Sequence, residues 1–153
     1  MIRSIAGVVA GLVAAVVVIG CLEFLGHAIY PPPPGLDRHN PDAIKTIIDQ
    51  LPLGAIVMVF VAWGTGTLVG SFTAGAIASR AQVVHGLIVG GVIMAFAVVT
   101  MIMIPHPVWF LIASVFVVLP PALVGAVLAK VLFDRSGPAG PKPYDMREKN
   151  MAC

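Results

Sequence analysis

Ser4–Tyr30, SIAGVVAGLVAAVVVIGCLEFLGHAIY, is the stretch that decides the fold. Between Ile5 and Leu22 it holds no charged side chain, and the whole run exceeds the roughly 20 residues a helix needs to cross a bilayer. Lipid offers the backbone no hydrogen-bond partners, so a segment there must be a helix or a closed barrel strand. Barrel strands alternate polar and apolar residues, and this run does not. It reads as a transmembrane helix. Glu23 and His27 then interrupt its outward end, where a carboxylate costs several kcal/mol unless it is paired or protonated.

Three further apolar runs of spanning length follow, Leu53–Ala78, Val84–Ile104 and Val108–Leu132. Composition agrees. Apolar residues make up 59% of the 153 and charged residues 10%, against roughly 45–50% and 25% in soluble domains. The expected architecture is an all-α membrane protein, a four-transmembrane-helix bundle with helices at about 4–30, 53–78, 84–104 and 108–132. Residues 1–132 form the single domain, 31–52 the external loop and 133–153 a disordered cytoplasmic tail rich in Pro, Gly and charge.

Basic residues set the orientation. Arg3, Arg80, Lys130, Arg135, Lys142, Arg147 and Lys149 fall on the side of the termini, whereas only Arg38 and Lys45 fall on the other. That bias predicts both termini in the cytoplasm. A net charge of +2 gives no reason to expect a nucleic-acid partner. The two cysteines, Cys21 and Cys153, imply no disulfide framework.

In the external loop, Pro31–Pro34 ends the first helix as a stiff polyproline segment. Asn40 and Pro41 then open a short amphipathic helix carrying Ile44, Ile47, Ile48 and Leu51 on one face. Its expected place is on the outer membrane surface or as a cap on the bundle. In the second helix Ala62, Gly66, Gly70, Ala74 and Ala78 recur every four residues as a ridge of small side chains, and the first helix has two shorter versions, Ala6-Ala10-Ala14 and Gly7-Gly11-Ala15. Such ridges let helix backbones approach closely in lipid. Packing within one chain is the favoured reading, with a homo-oligomer seam the other. Pro120 and Pro121 remove two amide donors from the fourth helix, predicting a kink with the carbonyls of Phe116 and Val117 freed.

Glu23, His27 and Tyr30 lie at i, i+4 and i+7 on one helix face. Counting an equal distance from each helix centre brings Thr100 and Ser114 to the height of Glu23, with Trp63 slightly deeper and His106 above. These residues, Glu23, His27, Tyr30, Thr100, Ser114 and His106, form the candidate polar site. The favoured reading is structural: Glu23 bonds His27 and a hydroxyl and fixes helix packing. In the alternative, the Glu/His pair serves proton- or cation-coupled transport of a small solute. A haem or metal site on His27, His106 and Glu23 ranks third, so no cofactor is expected. The chain lacks the G-x-S-x-G, HExxH and CxxC motifs, and an enzyme is not expected.

Three motifs, E-x-x-G-H-A-I-Y-P-P-P-P-G-L-D at Glu23–Asp37, LPLGA at Leu51–Ala55 and MIPHPVWF at Met103–Phe110, resemble those of a group of small bacterial integral membrane proteins with four helices. The resemblance implies a bacterial inner-membrane location and the helix count; it implies no activity. The sequence thus points to a structural or accessory membrane protein whose partners are the lipid bilayer and a homo-oligomer or larger membrane complex.

Overall fold

The computed structural model describes residues 2–31, 51–78, 80–103 and 108–133. These fold into four α-helices, α1 (Ile2–Ile29), α2 (Leu53–Ile77), α3 (Gln82–Met103) and α4 (Val108–Phe133), and no strand occurs among the described residues. At 1.5 Å per residue they measure about 33–42 Å. All four are long and apolar enough to cross a membrane. Their ends differ from the expected spans by no more than two residues, apart from the close fit at Leu53 and Val108. The expected amphipathic helix of the external loop, His106 and the tail lie outside the described residues.

The distribution of side chains is that of a protein dissolved in lipid. Large apolar residues such as Val16, Phe24, Phe96, Ile102, Phe116 and Val131 stand exposed on the outside. Small residues fill the inside: Ala15, Ala62, Ala74, Ala122, Ala126 and Ala129 are fully buried. In water this arrangement would forfeit most of the hydrophobic driving force. In lipid it loses nothing, because the outer side chains meet acyl chains and the small ones allow close backbone packing.

Helix α2 is the centre of the bundle, packing on α1, α3 and α4. Helix α1 packs mainly on α2, meets α3 over a short length and does not pack on α4. The α1–α2 seam is an antiparallel ladder. Gly7 lies against Ala74 and Ala78, Gly11 and Ala15 against Gly70, Gly66 against Ala15, and Gly26 against Met58. A Cβ added to Gly70 would lie 2.7 Å from both the Ala15 Cβ and the Gly11 carbonyl oxygen, so the backbones meet only because that side chain is absent. Gly66, Gly70, Ala74 and Ala78 of that ridge therefore pack on α1 of the same chain.

A second small-residue seam joins α3 to α4, with Gly86 against Ala126 and Gly90 against Ala122. Its signal was present in the sequence as two further four-residue spacings. Helix α4 runs through Pro120 and Pro121 as one helix. Pro121 cannot donate to the Val117 carbonyl, and Gly64 of α2 comes close to that oxygen; a Cβ there would sit 3.3 Å away. The freed carbonyl thus faces a neighbouring helix.

Arg3, Arg80 and Lys130 gather at one end of the bundle, which we call the basic end, and all three are exposed. The α2–α3 turn there is tight. Ala81 adopts φ +50°, and its carbonyl accepts both the His85 amide at 3.3 Å and a contact from His85 Nδ1 at 2.9 Å. Gln82, 5% exposed, donates from Nε2 to the Phe133 carbonyl at 3.1 Å, satisfying an orphan acceptor at the end of α4.

Candidate functional site

Glu23 sits near the far end of α1, six residues before Ile29, or about 9 Å along the axis. It is half-buried, on the flank of α1 that turns toward α2. Its carboxylate Oε1 accepts a hydrogen bond from the indole Nε1–H of Trp63, 3.0 Å away. The antiparallel ladder dictates this meeting: Gly66 already lies against α1 near Ile19, and one turn on each helix brings Glu23 level with Trp63.

Trp63 also reaches α4. Its ring meets that of Phe110 edge to face, with centroids 6.4 Å apart and planes at 77°. Phe110 in turn stacks on Phe60 at 4.8 Å and is itself buried. Edge-to-face and offset-stacked rings at such separations attract through their quadrupoles. Trp63 therefore ties together two helices, α1 and α4, that do not pack on each other.

His27 behaves otherwise than expected. Its Nδ1 lies 2.7 Å from the backbone carbonyl of Glu23, so the ring donates to the main chain of its own helix and leaves the carboxylate alone. His27 is exposed. Tyr30, half-buried, lies across Gly54 at the start of α2, where an added Cβ would run into its hydroxyl. The structure thus keeps Glu23, His27 and Tyr30 along one end of α1 but gives each a different neighbour.

Thr100 and Ser114 are not brought to Glu23. The Thr100 hydroxyl donates to the Phe96 carbonyl at 2.9 Å, and the buried Ser114 hydroxyl to the Phe110 carbonyl at 2.7 Å. Both bonds close within one helix turn, the usual recourse of a hydroxyl in an apolar setting. Ser114 belongs to α4, which α1 does not touch. Matching heights did not bring matching faces together.

Two buried hydroxyls escaped the sequence reading. Thr67 donates to the Trp63 carbonyl at 2.7 Å, and Ser71 donates across the helix gap to the Gly86 carbonyl at 2.9 Å. With Trp63 they lie at i, i+4 and i+8 along the inner line of α2, a spacing that could have revealed them. Among the described residues no group of three His, Cys, Asp or Glu side chains could hold a metal ion, and no buried side-chain nitrogen or oxygen lacks a partner.

The chain matches no protein-family model, no characterised protein and no solved structure.

Proposed function

We propose that this chain is a structural or accessory protein of the bacterial inner membrane, a small helical scaffold rather than an enzyme. The observation that carries this reading is the Trp63–Glu23 hydrogen bond. The acid in the apolar span is bonded across the α1–α2 seam, next to a ladder of glycines and alanines that already holds those helices close. An interhelical bond of this kind in lipid contributes about 0.6 kcal/mol on average and up to about 2 kcal/mol. That suits a residue whose task is to set how two helices sit.

The charge bias, with Arg3, Arg80 and Lys130 at the basic end, supports an orientation with both termini in the cytoplasm. The motif resemblance to small bacterial membrane proteins supports the inner membrane as its location. Reporter fusions read this directly. A fluorescent protein at the C-terminus should glow, and alkaline phosphatase there should be inactive; the opposite pair of results reverses the orientation.

The partial exposure of Glu23 favours one second reading, proton- or cation-coupled transport through this acid. Liposomes decide between the two. The scaffold reading expects no proton or solute flux from wild-type protein, and a loss of thermal stability in Glu23→Leu that Glu23→Gln does not share. A flux abolished by Glu23→Gln in a normally folded protein would overturn it.

A further inference from the structure

Helix α4 is packed differently on the two sides of Pro120–Pro121. On the inner side, toward the basic end, its buried residues are Ala122, Gly125, Ala126 and Ala129. Ala122 meets Gly90 and Ala126 meets Gly86 on α3, while Ala129 meets Gly75 and Gly125 meets the Leu68 carbonyl on α2. Each contact exists because one partner lacks a Cβ. An added Cβ would stand 2.5 Å from the Ala126 Cβ at Gly86, and 2.7 Å from the Ala129 Cβ at Gly75. Backbones this close fix the rotation and depth of a helix, since a shift drives one into the other. The Gln82 amide bonded to the Phe133 carbonyl at 3.1 Å ties down the end of this half.

On the outer side the buried residues are Phe110, Ser114 and Val118, and the contacts are softer. The Ser114 hydroxyl bonds within α4, to the Phe110 carbonyl. Phe110 stacks on Phe60 and meets Trp63 edge to face. Aromatic pairs attract over a range of offsets and separations, so rings can slide where backbones cannot. The two halves join where the helix is weakest. Pro120 and Pro121 carry no amide hydrogen, so the Phe116 and Val117 carbonyls lose their helical partners. Two neighbouring rungs of the ladder are missing, and helix bends concentrate at such places. Opposite them on α2 stands Gly64, where an added Cβ would lie 3.3 Å from the Val117 carbonyl oxygen and 3.9 Å from the Pro121 ring. The helix facing the break thus presents no side chain to prop it.

We propose that Pro120–Pro121 is a hinge on which the outer half of α4, residues 108–119, swings while the inner half, residues 122–133, stays fixed to α2 and α3. A hinge absorbs the change in a few residues and leaves both flanking segments rigid. Val118 sits beside the pivot and moves little. Phe110, about 15 Å from Pro120 along the axis, moves most among the buried residues and slides across Phe60 and Trp63. A swing of about 20°, the size of a distinct kink, displaces Ile112, about 12 Å from Pro120, by about 4 Å. The Glu23–Trp63 bond joins α1 to α2 and survives the motion. This goes beyond the scaffold reading, which asks only that the seams hold, and does not depend on it.

The test is pulsed electron spin resonance on the full chain in lipid nanodiscs, with Cys21→Ala and Cys153→Ala removing the two native thiols. One nitroxide pair, Ile112→Cys with Val17→Cys, measures the outer half of α4 against α1. A second, Val127→Cys with Val9→Cys, measures the inner half; all four positions are exposed. The outer distance distribution should be broader than the inner one, or split, by about 4 Å. Pro120→Ala combined with Pro121→Ala restores both amide donors; it should narrow the outer distribution to the inner width and leave the inner one unchanged. Equal widths for the two pairs with the prolines in place would overturn the proposal, as would an outer distribution that stays broad without them. The first comparison needs no proline variant, so it decides alone if the double variant fails to fold. Unfolding temperatures of Glu23→Leu judge the scaffold reading separately.

Discussion

The Trp63 indole and the Glu23 carboxylate meet at 3.0 Å across 40 residues of chain, and through Phe110 the same indole reaches a helix that α1 never touches. One side chain thus couples three of the four helices. A double-mutant cycle measures that coupling. Trp63→Phe and Glu23→Leu should each lower stability, and the pair should lose less than the sum by about 0.5–2 kcal/mol. Strict additivity in unfolding experiments would show that the bond contributes nothing.

Glycine substitutions should separate the packed seam from the lipid face. Gly70→Ala puts a methyl 2.7 Å from the Gly11 carbonyl oxygen and the Ala15 Cβ, and a backbone oxygen cannot step aside as a flexible side chain can. A loss of about 1–3 kcal/mol follows from forced separation of α1 and α2. Gly91 has nothing within 4 Å of an added Cβ; Gly91→Ala should be neutral or gain up to about 1 kcal/mol from helix propensity. Thermal unfolding in detergent compares the two directly.

Ser71 offers a second interhelical bond, this time fully buried. Ser71→Ala removes the donor and leaves the Gly86 carbonyl with its own helical bond. The cost should be modest, about 0.6 kcal/mol and at most about 2 kcal/mol. A larger loss would mean that the hydroxyl also governs the approach of α3.

Ala81 holds φ +50°, a left-handed conformation that costs a residue bearing a Cβ about 1–2 kcal/mol. Glycine adopts it without that penalty, though it adds entropy to the unfolded chain. Ala81→Gly should therefore raise stability by about 0.5–1 kcal/mol. A decrease would show that the turn relaxes to negative φ in the membrane.

Much of this fold was legible in the residues alone, and the reason is local. Each span had to satisfy its own backbone bonds in lipid, so four apolar runs translated directly into α1 to α4, with α2 starting after Pro52. The small ridge of α2 announced a close helix contact in the same way. How each helix is rotated was not legible. In water a buried face reveals itself by being apolar; in lipid both faces are apolar, and hydropathy carries no record of which side is inside. Height along the axis could be counted, and so Thr100 and Ser114 were grouped with Glu23, yet their hydroxyls turn to Phe96 and Phe110 on their own helices. Only the interlocking of Gly7, Gly11 and Ala15 with Gly66 and Gly70 set the rotation of α1 against α2. That rotation gave Glu23 to Trp63, because a carboxylate in lipid bonds to whichever donor the backbone packing brings within reach.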